Sequence, residues 1–265
     1  LMSAILLGLV FHFSQRRPGG FWRSPGTSCL VGVMLLAVTI PLSTSRSSSL
    51  LEALLLLGAF VYWLRSIIRR RLASARGVIA PVMLSLVLLF AAGAFVYNLA
   101  SATIQARLSD TKTQLSEMRA RGETMPRQIL YRDTWNMART KPWFGWGMGA
   151  YPTAFYHRNT QHDSMDGPVR LFHDAHSDWL QSVSEVGVVG TALLLLCAAV
   201  PLLSARRKVR ISPLVACLFA GCSLVVLYAA LEFPFGNRAV VIAFWLCFFA
   251  AVRYARLDAS FERHV

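Results

Sequence analysis

The stretch Val78–Leu99 reads VIAPVMLSLVLLFAAGAFVYNL and contains no charged residue. A helix needs about 20 apolar residues to cross the roughly 30 Å hydrocarbon core of a bilayer, and this stretch has that length. A helix is the expected state, because a backbone exposed to lipid must satisfy its own hydrogen bonds. The stretch therefore predicts a membrane-spanning helix.

Further apolar blocks accompany this one. They are Leu1–Phe13, Cys29–Leu42, Leu50–Ile67, Val186–Leu203, Pro213–Ala230 and Ala239–Val252. One block could be the buried helix of a soluble protein, but a series of them is typical of a membrane protein. We expect an all-α fold, a polytopic bundle of about seven transmembrane helices. The chain opens on Leu1 inside an apolar block without the charged start of a signal peptide, so we expect a fragment of a longer protein, with a truncated first helix.

The composition agrees with a membrane protein. Of 265 residues, 55% are hydrophobic and 15% are charged, and the mean hydropathy is +0.49. The formal net charge of +14 could indicate nucleic-acid binding, but much of it lies in short Arg and Lys runs at block ends, as in cytoplasmic membrane anchors. We therefore expect contact with membrane lipids and no nucleic acid. The cysteines fall inside apolar blocks, where we expect free thiols.

The basic runs also orient the chain. They follow alternate blocks, and the segments that carry them should be cytoplasmic. The long segment 100–185 then lies on the exported side, since long loops translocate largely regardless of charge. We expect three regions: N-terminal transmembrane helices over 1–99, an exported loop with the functional motifs over 100–185, and C-terminal transmembrane helices with a cytoplasmic tail over 186–265.

The exported segment has helical signals of its own. Apolar residues recur at helical spacing over Ser101–Arg121, and a second helix is predicted over Arg127–Thr140. Pro142 ends that helix, and we expect a third over His173–Val186, leading into the next membrane block. The glycine-rich turn after Pro142 contains Gly145, Gly147 and Gly149.

Arginines on the exported side are candidates for binding an anion. Arg46 lies among the hydroxyl residues of Ser43–Ser49, where it either snorkels to the interface or binds phosphate bidentately. Arg132 and Arg139 share one face of the helix predicted over Arg127–Thr140. A solvated charged face is the alternative there, and periodicity alone favours it.

His176 is the candidate general base. On the predicted helix it would share an apolar face with Leu180 and Val183, where a structural histidine is the usual explanation. The alternative is catalytic, because an unperturbed imidazole with a pKa near 6.5 can take a proton from a hydroxyl at neutral pH.

A metal site is a further alternative for this region. The ligands would be His173 and His176 with Asp163, Asp166 or Asp174. Their spacing matches no known metal motif, so we expect no metal ligands.

Short motifs follow one another in a recognisable order. They are Thr44–Ser47 (TSRS), Arg132–Trp135 (RDTW) with Lys141–Gly149 (KPWFGWGMG), His176–Gln181 (HSDWLQ) with Glu185–Gly190 (EVGVVG), and Glu232–Pro234 (EFP). This order resembles the O-antigen ligase family of bacterial membrane proteins, which includes related polysaccharide polymerases. The chain departs from the family at Ser47, where relatives have Gly, and it has fewer N-terminal helices.

The resemblance implies a membrane glycosyltransferase of the bacterial cytoplasmic (inner) membrane that builds cell-envelope polysaccharide or lipopolysaccharide. Such enzymes move a glycan from a polyprenyl (undecaprenyl) pyrophosphate carrier to an acceptor hydroxyl at the periplasmic face. The acceptor is lipid A–core for ligases and another glycan for polymerases. The family's chemistry is inverting and uses neither metal nor cofactor.

The resemblance also implies roles for particular residues. His176 would be the catalytic base, and Arg46 and Arg132 would bind the pyrophosphate, with Arg127 and Arg139 as further candidates. The glycine-rich turn would let the backbone approach a bulky ligand, while Gly187 and Gly190 would permit close helix packing. The full supporting set is His173, Ser177, Gln181, Gly145, Gly147, Gly187 and Gly190.

A transporter or flippase of lipid-linked or anionic substrates is the main alternative function. Such proteins also line cavities with arginine, but they place ionisable groups in the middle of their helices. Here the polar groups concentrate in the exported loop, which favours chemistry at the membrane surface.

Overall fold

The computed structural model describes residues 1–16, 23–42, 46–74, 77–121, 126–160, 172–205 and 212–261, and these residues form helices, turns and loops without a strand. This confirms the all-α prediction. In chain order the α-helices are α1 (Met2–Arg16), α2 (Pro25–Leu42), α3 (Arg46–Ala73), α4 (Ile79–Arg121), α5 (Pro126–Thr140), α6 (Tyr151–Tyr156), α7 (Asp178–Ala205), α8 (Pro213–Tyr228) and α9 (Arg238–Phe261). A 3₁₀ turn, Pro234–Gly236, precedes α9.

Each apolar block falls almost entirely within one of these helices, although α4 and α7 extend well beyond their blocks. Within the described ranges, four segments are long and apolar enough to cross a bilayer: Ser47–Ala73, Ile79–Asn98, Asp178–Leu203 and Arg238–Leu257. Helices α1, α2 and α8 are apolar but shorter. The chain is therefore a multi-pass membrane protein with a helical, polytopic fold.

The helices of segment 100–185 follow local signals. The helix predicted over Ser101–Arg121 is present, but it continues α4 without a break. Helix α5 opens on Pro126, whose fixed φ suits a first helical turn. It ends at Thr140, because the residue before Pro142 is disfavoured in helical conformation.

The chain divides into two compact units. One comprises Leu1, Ser116–Val215 and Cys222–Val265, and the other comprises Met2–Leu115 and Ala216–Gly221. In the second unit α1 packs against α2 and α3. In the first unit α7 packs against α5, α6 and α9, and the contacts of the candidate site lie there.

Candidate active site

The candidate base lies just before α7. The expected helix start at His173 is wrong, because α7 begins at Asp178. Ser177 Oγ accepts a hydrogen bond from Leu180 N at 3.4 Å, as the residue that caps a helix N-terminus does. His176 therefore precedes the helix and does not share an apolar helical face.

The backbone and side chain of His176 are held separately. Its φ of 51° is in the left-handed region, which residues with a side chain seldom adopt. The Tyr131 hydroxyl donates to its carbonyl oxygen at 2.9 Å, while the imidazole packs edge-on against Phe233, with centroids 5.1 Å apart. The pKa of Tyr131 is raised, mainly because the phenol is partly buried. Arg127 lowers this pKa and Glu232 raises it, and the net rise keeps the hydroxyl protonated as a donor. The imidazole itself is 39% exposed and so remains open to a ligand.

A carboxylate joins His176 to an arginine. Glu232 Oε2 lies 3.5 Å from His176 Nδ1, and Glu232 Oε1 accepts from Arg127 Nη2 at 2.7 Å. The carboxylate is mostly buried, whereas about half of the arginine side chain is exposed. A carboxylate at Nδ1 favours the tautomer that carries its proton there, and that tautomer leaves Nε2 able to accept a proton.

The start of α7 fixes the position of Glu232. Asp178 N donates to Ala229 O at 2.9 Å and to Glu232 O at 3.2 Å. Its carboxylate oxygen Oδ2 accepts from Phe235 N at 2.8 Å. The orphan donor at the helix N-terminus is thus satisfied by the connection between α8 and α9, and that connection carries the carboxylate to the histidine.

Arg132 is tethered but accessible. Its Nε lies 3.3 Å from Asp133 Oδ1, and its Nη2 donates to Thr160 Oγ1 at 3.0 Å. Asp133 is buried and its Oδ2 also accepts from Thr160 N and Oγ1, each at 2.8 Å. The Arg132 side chain is 61% exposed, so an anion could reach a guanidinium that is already oriented.

The other predicted arginines lie in different surroundings. Arg139 is exposed in the last turn of α5, and within the described part of the chain it makes no ion pair. Arg46 opens α3, but its side chain is outside the described residues, as are Thr44 and Ser45.

The glycine-rich turn locks onto α7 through backbone contacts. A Cβ at Gly145 would collide with the carbonyl of Glu185, and one at Gly187 would collide with the carbonyl of Trp143. Both glycines have a φ of 67°, and Gly187 kinks α7. The close approach at Gly145 is therefore to the backbone of α7. At Gly190, by contrast, an added Cβ would meet a side chain of the same helix.

Glu185 and Gln181 connect this turn to the histidine loop. The carboxylate of Glu185 accepts from Gly149 N at 3.0 Å and from Tyr151 N at 3.2 Å. Gln181 Nε2 donates to Glu185 Oε1 at 3.3 Å, and its Oε1 accepts from Ala175 N at 3.1 Å. Two polar side chains of α7 thus fix the start of α6 and the residue before His176.

A small hydrophobic core packs beside the site. It contains Leu130, Met137, Tyr151, Phe155 and Ala175, with Trp146, Ala154 and Phe172 packed against it. The Tyr151 hydroxyl lies 2.8 Å from Thr134 Oγ1, and burial raises its pKa. This core joins α5, α6 and the histidine loop.

His173, Asp174 and His176 are the candidate metal ligands that lie within the described residues. Among the described residues no group of three or more His, Cys, Asp and Glu side chains could hold a metal ion. Asp163 and Asp166 lie outside those residues, and His173 is exposed.

Three members of the site are not among the predicted site residues. Glu232 and Glu185 appear in the sequence only as parts of the EFP and EVGVVG motifs, and Tyr131 only as a residue of the helix predicted over Arg127–Thr140. Helical periodicity links residues three or four apart. The contact between Glu232 and His176 spans 56 positions.

The comparisons with known proteins give one match. A family model described as O-antigen ligase matches residues 31–195, which is more than half of the chain. No curated protein and no solved structure matches.

Proposed function

Because the chain belongs to the O-antigen ligase family, we propose that it transfers a glycan from a polyprenyl pyrophosphate carrier to an acceptor hydroxyl. Family membership supports a glycosyltransferase of the ligase or polymerase type. The carrier is undecaprenyl pyrophosphate, the acceptor is lipid A–core or another glycan, and the reaction takes place at the periplasmic face of the inner membrane. The cluster of Arg127, Glu232 and His176 is the observation that carries the proposal.

His176 acts as the base in this proposal. With its proton on Nδ1 facing Glu232, its Nε2 takes the proton of the acceptor hydroxyl. The hydroxyl oxygen attacks the anomeric carbon from the side opposite the pyrophosphate, and the bond from that carbon to the pyrophosphate oxygen breaks. The electron pair leaves with the carrier pyrophosphate, so the configuration at the anomeric carbon inverts. This chemistry requires neither a metal nor a cofactor.

Arg132 and Arg46 bind the departing pyrophosphate in this proposal. Charge grows on that group as the sugar bond breaks, and electrostatic stabilisation of such charge is often the largest single contribution to catalysis. The exposed and tethered guanidinium of Arg132 supports this role. Arg139 is a further candidate because it is exposed on the same helix. The guanidinium of Arg127 is paired with Glu232, which supports a role in orienting that carboxylate.

The test uses purified full-length protein in lipid bilayers, a polyprenyl pyrophosphate-linked glycan and both kinds of acceptor. His176→Ala should lower the transfer rate by roughly 10²–10⁴-fold, the usual contribution of a positioned base. Arg132→Ala should also lower it strongly. Arg256→Ala is the matched control, since Arg256 is an exposed arginine on the predicted cytoplasmic side.

The outcomes separate the chemistry from the family function. Normal transfer by a folded His176→Ala protein would remove the assigned base and leave a transferase with another mechanism. No transfer by the wild type to any acceptor, together with movement of the lipid-linked glycan between leaflets, would favour the transporter alternative.

A further inference from the structure

Large apolar side chains project from the turn between α5 and α6. The exposed fractions are 67% for Trp143, 77% for Phe144 and 83% for Met148. Single exposed apolar residues are common on proteins, but several in one short turn mark an interaction surface. We call this surface, formed by Trp143, Phe144 and Met148, the apolar turn.

Backbone hydrogen bonds fix the apolar turn beside Val188 and Val189 of α7. Val188 N donates to Pro142 O at 2.8 Å, and Val189 N donates to Trp143 O at 3.1 Å. These two N–H groups can bond to the turn because Gly187 interrupts the helix there, so they are not used in hydrogen bonds within α7. The turn is thus fixed beside the first residues of α7 that follow its kink.

The same level of α7 begins an exposed apolar surface. The leucines Leu193, Leu194, Leu195 and Leu196 are each about half exposed, inside a segment long and apolar enough to span a bilayer. Leu193 lies one helical turn beyond Val189, about 6 Å further along the axis at 1.5 Å per residue. The apolar turn is therefore continuous with the exposed apolar surface of α7 and lies beside the first residues of that surface.

Cations border the apolar turn. Lys141 is exposed, and its ammonium lies 4.0 Å from the centre of the Trp146 ring. Arg158 is also exposed, and its guanidinium lies 4.6 Å from the same ring. Tryptophan flanked by basic residues is typical of the headgroup region of a membrane, where the rings sit in the interface and the cations meet phosphate.

These observations point to one partner: we infer that the apolar turn inserts into the bilayer interface, at the boundary between headgroups and acyl chains. The occupant of this surface is lipid. The turn directly follows α5 in the chain and is hydrogen-bonded to α7. The insertion would therefore hold the end of α5 at the membrane surface. The inference does not depend on the proposed transfer reaction.

Photo-crosslinking tests the inference in the full-length protein, reconstituted in bilayers of phosphatidylethanolamine and phosphatidylglycerol. The photoreactive amino acid p-benzoylphenylalanine replaces Phe144 or Met148, one at a time, and mass spectrometry of the intact protein counts lipid adducts. Leu195 is the reference position in lipid. Thr153, exposed on α6, is the reference position in water.

We expect the adduct yield at Phe144 and Met148 to be comparable with that at Leu195 and several-fold above that at Thr153. Yields as low as at Thr153 would overturn the inference. Crosslinks to another part of the protein, in place of lipid, would also overturn it, because they would identify the occupant as protein.

Discussion

At the scale of single residues, the two oxygens of Glu232 have unequal partners. Arg127 lies 2.7 Å from Oε1, whereas the His176 ring nitrogen lies 3.5 Å from Oε2. A partly exposed ion pair contributes little to stability, typically 0.2–1 kcal/mol, so its value here is geometric. The arginine fixes the carboxylate, and the carboxylate orients the imidazole.

Glu232→Gln should therefore slow transfer without preventing substrate binding. The amide can turn its NH₂ group towards Nδ1, which favours the tautomer with its proton on Nε2 and blocks proton uptake there. The expected loss in kcat is within the roughly 10²–10⁴-fold range of a positioned base, with KM for the donor little changed. Steady-state kinetics with both substrates measure this, and an unchanged kcat would remove Glu232 from the mechanism.

Tyr131→Phe should weaken the support of the strained His176 backbone. A hydrogen bond of this kind contributes about 0.5–1.5 kcal/mol, so the thermal unfolding midpoint should fall slightly and transfer should slow. Tyr254→Phe, at an exposed tyrosine of α9, is the control for loss of a hydroxyl. Equal behaviour of the two variants would show that the bond to the His176 carbonyl has no role.

At the scale of secondary-structure elements, signals close in sequence predicted α5 well. Two prolines bracket it, and its bounds differ from the predicted ones by one residue at the start. The short α6 was not predicted, although Pro152 in its first turn is a local signal. Its first backbone donor is satisfied by Glu185 of α7, a contact that sequence spacing cannot show. The start of α7 and the Glu232 contact depend in the same way on tertiary hydrogen bonds, which periodicity cannot show.

The close backbone contact between the glycine-rich turn and α7 can be tested with a pair of glycine variants. Gly149→Ala should cost about 1–2 kcal/mol, since only its left-handed φ is unfavourable and the space around it is open. Gly187→Ala places a methyl group against the Trp143 carbonyl, and the Gly187 backbone (φ 67°, ψ −174°) lies in a region that is essentially restricted to glycine. It should lower the yield of monodisperse protein in detergent and the unfolding midpoint far more than Gly149→Ala. Similar decreases in yield and unfolding midpoint in both variants would mean that the contact between the turn and α7 does not contribute to stability.

At the scale of the whole molecule, the apolar blocks alone predicted a polytopic helical protein, because the bilayer imposes helix length and composition. The direction in which the chain crosses the membrane stays a prediction from the basic segments. It places segment 100–185, with His176 and Arg132, on the exported side.

Reporter fusions in a bacterial host measure that orientation. Alkaline phosphatase fused after Thr160 should be active, because it folds only after export. Green fluorescent protein fused after Val265 should fluoresce, because it matures in the cytoplasm. The reverse pattern would place the histidine on the cytoplasmic side, away from a periplasmic acceptor.

The hydrogen bonds by which Asp178 holds the segment of Glu232 beside His176 have a consequence for how such proteins can be recombined. The family match ends at residue 195, yet the carboxylate opposite His176 comes from the connection after α8. A chimera of two relatives joined after Ala205 would set one parent's histidine against the other's acid. A chimera should therefore be active only when His176 and Glu232 come from the same parent. Crossovers upstream of His176 keep the two together, so recombined libraries should use them.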